Sequence, residues 1–210
     1  MNIIKYPMKE VEYVKEECSK SQIVLHHTVS ANGKNTADYF SADKGKSRIA
    51  VPYVIDKDGN IYELFEPQYW AYHLGLPHVD NVLYCKKSIG IEITNEGPLV
   101  KREGSYYWWI DPKTSPRGKN KFNGTAVDLG KPWRGCQYFA GYTDAQVKAT
   151  AELTKYLCEK FNIPKEFDGS FDFNTTYMSK AGIISHCNVR EDKTDISPAF
   201  DVNKFKDLLK

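Results

Sequence analysis

The chain has 210 residues, 41% hydrophobic and 27% charged, enough to bury a full core in one domain. Its 29 basic and 27 acidic residues leave a net charge of +2, which gives no general reason to expect nucleic-acid binding. No apolar run approaches the length needed to span a bilayer, so no membrane insertion is expected. The first twenty residues mix Lys and Glu with isolated apolar residues and do not read as a secretory signal, which predicts synthesis in the cytoplasm. The five cysteines are odd in number, widely spread and without a CxxC pair, a pattern of reduced thiols rather than a disulfide framework.

In chain order, residues 9–19 carry Lys and Glu with Val11, Tyr13 and Val14 interspersed, which predicts a short amphipathic helix. Residues 23–26 form an apolar strand running into His26 and His27, and residues 36–42 a short helix. Ile49 to Ile55 reads as a strand, with Pro52 confining it to an edge or to the strand's first residues. Asp58-Gly59 turns the chain into a partner strand over 61–65. Residues 66–87, with Trp70, His73, Gly75 and Pro77, read as a loop.

Residues 88–94 alternate strictly. Ile89, Ile91 and Ile93 face one way, and Ser88, Gly90, Glu92 and Thr94 the other. A glutamate on such a strand is costly to bury without a partner, which makes Glu92 a candidate for chemistry. Residues 97–139 break the pattern with Tyr106-Tyr107-Trp108-Trp109, the basic Arg117, Lys119 and Lys121, and Trp133. They read as an insertion, either a platform for sugar rings or a hairpin laid over the core. Thr143-Asp144-Ala145-Gln146 is a capping box opening a helix that stops before Pro164, and Asp201 is placed to cap a last helix burying Val202, Phe205 and Leu209.

Between those helices, Gly182-Ile183-Ile184 leads as a buried strand into Ser185-His186, followed by Lys193 and Asp195 on a tight loop. Two strands ending in histidine plus this carboxylate supply the ligand count of a catalytic zinc with one open position. Strand alternation turns Cys187 away from such a metal, and it lets only one of His26 and His27 reach it. Glu92 is placed to move protons and Lys193 to steady an oxyanion, together a zinc-dependent amide hydrolase. Strands interleaved with helices predict an α/β fold. One domain over residues 1–210 is expected, with a central mixed sheet flanked by helices and the zinc site at the strands' C-terminal ends.

Five stretches carry a family resemblance: IVLHHT at 23–28, YVIDKDGNIYELF at 53–65, WAYHLG at 70–75, SIGIEI at 88–93 and SHCNVREDKTDISPAFD at 185–201. They resemble, in order, the zinc-dependent N-acetylmuramoyl-L-alanine amidases of phage lysins, muropeptide-recycling enzymes and peptidoglycan-recognition proteins. The resemblance implies Zn2+ held by His26, His186 and Asp195, with Glu92 catalytic and Lys193 assisting. It also implies a substrate, the amide joining N-acetylmuramic acid to L-alanine in peptidoglycan or a muropeptide. It selects His26 over His27. His73 and Trp70 are expected to line the substrate cleft. Where some phage members carry a tyrosine near the metal this chain has Val51, with Tyr53 two residues on and expected on the same strand face. A phage-type endolysin, monomeric and reaching the wall after release, is the expected setting. The alternatives are a cytoplasmic recycling enzyme and a recognition module that binds without cleaving.

Overall fold

A computed structural model describes residues 1–210 except 43, 44, 46, 78 and 112. The chain first forms β1 (Ile3–Lys5), β2 (Gln22–His27), α1 (Gly33–Ser41), β3 (Tyr53–Ile55) and β4 (Ile61–Glu63). Then come α2 (Asn81–Lys87), β5 (Ser88–Ile93) and the strands β6 (Pro98–Arg102), β7 (Ser105–Trp108), β8 (Asn120–Phe122), β9 (Ala126–Trp133) and β10 (Cys136–Ala140). It closes with α3 (Asp144–Phe161), β11 (Gly182–Ser185), α4 (His186–Val189) and α5 (Val202–Leu209).

Six strands make a mixed sheet in the order β1-β4-β3-β5-β2-β11. The central run β3, β5, β2 and β11 is all parallel, so their C-terminal ends share one edge. Alternation then sorts the side chains. Ile23, Leu25, Ile89, Ile91, Ile93 and Ile183 pack with α3 and α5 into the main core. Val24 and Ile184 turn to the opposite face, where they meet Trp70, Leu74, Cys85 and Val189. By the same rule His26 and Glu92 share that second face, and the register sets them side by side on adjacent strands.

The helix starts and stops follow local chemistry. Thr143 and Gln146 form the reciprocal capping box of α3, which ends on Asn162 in the left-handed conformation. The Asp201 side chain accepts from the Lys204 amide, as expected for the cap of α5. The N-terminal helix expected over 9–19 is absent. Residues 10–12 form one 3-10 turn, and Val14 then pairs as an isolated bridge with Trp70. Tyr13 stacks on Phe65 at 4.7 Å, so cross-chain pairing and aromatic burial override the helical propensity of the Lys and Glu residues. The strand expected over 49–55 shortens to its last three residues. After Pro52, Tyr53 enters the helix-side core while Val51 joins the other face, so the two do not share a face.

Residues 98–140 build a second, antiparallel sheet in the order β8-β7-β6-β10-β9. It has a small core of its own, with Tyr106, Trp108 and Tyr138 packed on Leu99, Phe122 and Ala140. Its two ends are pinned by buried Asn95, whose amide donates to the Ala140 and Gly141 carbonyls and whose oxygen accepts from the Gly97 amide. Most of the aromatics of this segment therefore fold it; Trp109 alone of the 106–109 run stays well exposed. No helix among the described residues is long and apolar enough to cross a membrane.

Candidate metal centre

At the shared C-terminal edge, β2 delivers His26 and β11 runs directly into His186. His186 is not the end of a strand, as the sequence suggested, but the first residue of α4. The turn is set locally, because the Ser185 amide donates to the Asn188 side-chain oxygen at 2.7 Å. One turn of helix follows, and the chain returns through Lys193 to Asp195, whose carbonyl accepts from the Cys187 amide at 2.7 Å. Cys187 is thus held away from the site by helix geometry, with its thiol pushed up to about 12 by burial.

Three atoms converge there. His26 Nδ1 lies 3.0 Å from His186 Nδ1 and 3.1 Å from Asp195 Oδ2, and His186 Nδ1 lies 2.9 Å from the same oxygen. All three residues are buried. The other ring nitrogens are engaged, which decides what the converging atoms can do. His186 Nε2 is 2.8 Å from the Leu74 carbonyl, so this nitrogen carries a proton and, in the neutral ring, Nδ1 offers a lone pair.

For His26 the assignment comes from a chain of bonds. The Ser88 hydroxyl sits 2.7 Å from the Tyr84 carbonyl and must donate to it. His73 Nε2, 2.9 Å from that hydroxyl, must then be the donor to it, which leaves His73 Nδ1 bare. His26 Nε2, 3.0 Å from His73 Nδ1, supplies the proton, and His26 Nδ1 is bare in turn. Gly90 makes room for this relay, since a Cβ there would lie 3.0 Å from His73 Nδ1 and 2.6 Å from Val51 Cγ1.

Burial first, and His186 second, push the His26 pKa down to about 4, so the ring is neutral. Burial favours the neutral acid at Asp195, but His186 and His26 outweigh it and hold the carboxyl well below the usual range. Two Nδ1 atoms and one carboxylate oxygen therefore face one another at about 3 Å. Two imidazoles with one carboxylate, each offering one atom to a common point, are a donor set zinc accepts.

Glu92 lies beside His26 on β5. Its Oε2 is buried and makes no hydrogen bond. Burial, and then the charge of Asp195, push its pKa up to about 8, with Lys193 opposing. Lys193 lines a cleft of about 440 Å3 together with His73, His186, Arg190 and Asn81. Its ammonium makes no hydrogen bond or ion pair with a described residue.

A family model for N-acetylmuramoyl-L-alanine amidases matches residues 19–198. The chain belongs to that family. Among curated proteins, none matches the sequence. Among solved structures it is similar to the catalytic domain of XlyA, at 15% identity, TM-score 0.57 and full coverage of both chains. It is similar also to a mutant endolysin from Bacillus subtilis, at 15% identity and TM-score 0.57, covering 100% of this chain and 99% of that one. A third likeness is to AmiD from E. coli, solved in complex with anhydro-N-acetylmuramic acid-L-Ala-D-gamma-Glu-L-Lys. There the identity is 17% and the TM-score 0.56, covering 93% of this chain and 59% of that one. Identities this low establish a shared fold.

Within the amidase fold, His26, His186, Asp195, Glu92 and Lys193 come together from 23–28, 88–93 and 185–195 of the sequence. His27 does not join them; it points to the helix face, 3.2 Å from the Tyr142 hydroxyl. His73 lines the cleft, but its ring nitrogens are spent on His26 and Ser88. Trp70 is a correction to the sequence reading: it is buried against Val24 and Leu74, and its indole N–H donates to Glu16 at 3.0 Å, away from the cleft. Ser88 and the Leu74 carbonyl, which fix the two imidazoles, were not singled out from sequence. A carbonyl leaves no trace in a residue string, and Ser88 reads as one more small strand residue.

Proposed function

We propose that this chain is a zinc-dependent N-acetylmuramoyl-L-alanine amidase, with His26, His186 and Asp195 as ligands, Glu92 as proton carrier and Lys193 as oxyanion partner. The observation that carries this reading is the convergence of two bare Nδ1 atoms and one carboxylate oxygen, with Glu92 on the neighbouring strand. Zinc bound there supplies a Lewis acid and acidifies water to a pKa of about 7.

The protein's own groups do the rest. The Leu74 carbonyl and the His73–Ser88 relay hold the two imidazoles in the tautomer and orientation a metal needs. Glu92, short of hydrogen-bond partners and basic for a carboxylate, takes the proton from the attacking water and returns it to the departing alanine nitrogen. Lys193, at the cleft wall with no hydrogen-bond or ion-pair partner among the described residues, would balance negative charge growing on the carbonyl oxygen of the lactyl group. The whole of residues 1–210 is read as one amidase domain, with the second sheet as its insertion.

The test pairs zinc content with cleavage. The purified protein should bind about one zinc per chain and release stem peptide with a new L-alanine amino terminus from cell wall. Full zinc occupancy without that product would favour a binding module. We further read the chain as a lysin acting on assembled wall, a reading supported by the full-length likeness to lysin catalytic domains. Faster turnover of soluble anhydro-muropeptides than of intact sacculi would instead make it a recycling enzyme.

A further inference from the structure

Arg134 links the second sheet to the loop that carries Lys193 and Asp195. β9 and β10 are joined by Arg134-Gly135, both in the left-handed region at φ 48° and 78°. The turn projects the Arg134 guanidinium into the loop between α4 and Asp195. There Nη1 donates to the carbonyls of Arg190 at 2.8 Å and Glu191 at 2.5 Å and also to that of Lys193, while Nη2 donates to Cys187 O at 2.9 Å.

Four backbone carbonyls thus converge on one cation. They include that of Cys187 in α4 and that of its cap residue Arg190, carbonyls that a one-turn helix leaves without internal partners. The same loop is closed at its base by the bond from the Cys187 amide to the Asp195 carbonyl. It carries both Lys193 and the carboxylate of the triad. Trp133, next to Arg134, packs on Phe139 and Phe171, so the turn is seated from two sides.

We propose that Arg134 is a positioning residue: the insertion uses its guanidinium as a template around which the 187–195 loop folds, fixing Asp195 as a ligand and Lys193 at the cleft. The planar, five-donor fork suits that role, whereas an ammonium offers three donors from one point. The proposal rests on the zinc reading for its catalytic consequence, but the ordering of the loop does not need the metal.

The experiment uses the full chain with Arg134→Ala and Arg134→Lys, and Leu209→Ala in α5 as a control for general destabilisation. In metal-free protein, amide hydrogen exchange at residues 190–195 should speed up in Arg134→Ala without a matching change in α3. Zinc affinity, measured by chelator competition, should fall about tenfold or more, and kcat with it, the scale usual for groups that orient ligands. Arg134→Lys should lie between, while Leu209→Ala should lower the melting temperature and leave zinc affinity as it was. Loop exchange and zinc affinity both within about twofold of wild type in Arg134→Ala would overturn the proposal; should that variant not fold, the same result in Arg134→Lys would. Faster loop exchange in a protein whose wild type binds no zinc would keep the clamp and sink the zinc reading.

Discussion

Replacing Glu92 by Gln should make the protein more stable and nearly inactive at once, and the size of the first effect follows from the site. The folded carboxyl holds its proton up to about pH 8, against 4.5 for an ordinary glutamate. Between those values the native state binds one proton more than the unfolded chain, so stability falls as pH rises through that window. The full difference, about 3.5 pH units at 1.36 kcal/mol each, sets a ceiling near 5 kcal/mol, and about 3 kcal/mol is a cautious working figure. Gln has the same shape and no proton to lose. In chelator-treated protein, urea unfolding across pH 4.5 to 9 should show the Glu92→Gln curve rising relative to wild type by about 3 kcal/mol over the range, nearly all of it before pH 9. Other titrating groups cancel in the comparison. A cation bound beside Glu92 would favour its charged form, so the zinc-loaded protein should show a shallower slope. Turnover in the zinc-loaded variant should drop by about 10²- to 10⁴-fold with zinc retained. Parallel stability curves for the two proteins would refute the assignment of a strained, buried carboxyl, and normal activity would remove Glu92 from the reaction.

His186→Ala should abolish both zinc binding and cleavage, read by metal analysis and by released stem peptide. Stripping zinc from wild type should lower its unfolding free energy, by about 2.7 kcal/mol where free zinc had stood at a hundred times its Kd, measured by melting with and without chelator. Gly90→Ala, which crowds His73 Nδ1 at 3.0 Å, should weaken zinc about tenfold by displacing the ring that fixes the His26 tautomer; unchanged affinity in a chelator titration would dissociate His73 from the metal. A thiol-specific reagent should label half-buried Cys18 and Cys136 in the native protein, with Cys85, Cys158 and Cys187 reacting only after unfolding.

What the sequence made readable was whatever alternation and capping control. A strand with period two assigns each residue to a face, so Ile89, Ile91 and Ile93 declare the core and Glu92 the site. Thr143, Gln146 and Asp201 satisfy nearby amides, and both helices start where those residues predict. The misses lie where distant chain decides. Residues 14–18 take their conformation from backbone bonds to Gln68 and Trp70, which no local pattern encodes. The seven-residue α2 is too short to show a period, and only the Asp80 side chain accepting from the Leu83 amide marks its start. The insertion revealed its aromatics but not their partners, so a platform and a hairpin over the core both stayed open, and the separate sheet in which Tyr106 meets Tyr138 was neither.

The same division runs through the site itself. The three atoms that would grip a metal are side-chain atoms on a strand end, a helix start and a short loop, and motif reading finds the residues that carry them. What orients them is largely backbone: the Leu74 carbonyl behind His186, the Tyr84 carbonyl at the end of the His26 relay, and the four carbonyls around Arg134. Backbone acceptors are the same at every residue, so a family pattern can preserve the ligands while the groups that aim them come from elsewhere in the chain. In this amidase one of those groups, Arg134, comes from the second sheet. If the Arg134 clamp holds, deleting residues 98–140 to obtain a minimal enzyme should cost metal affinity rather than merely trim the surface.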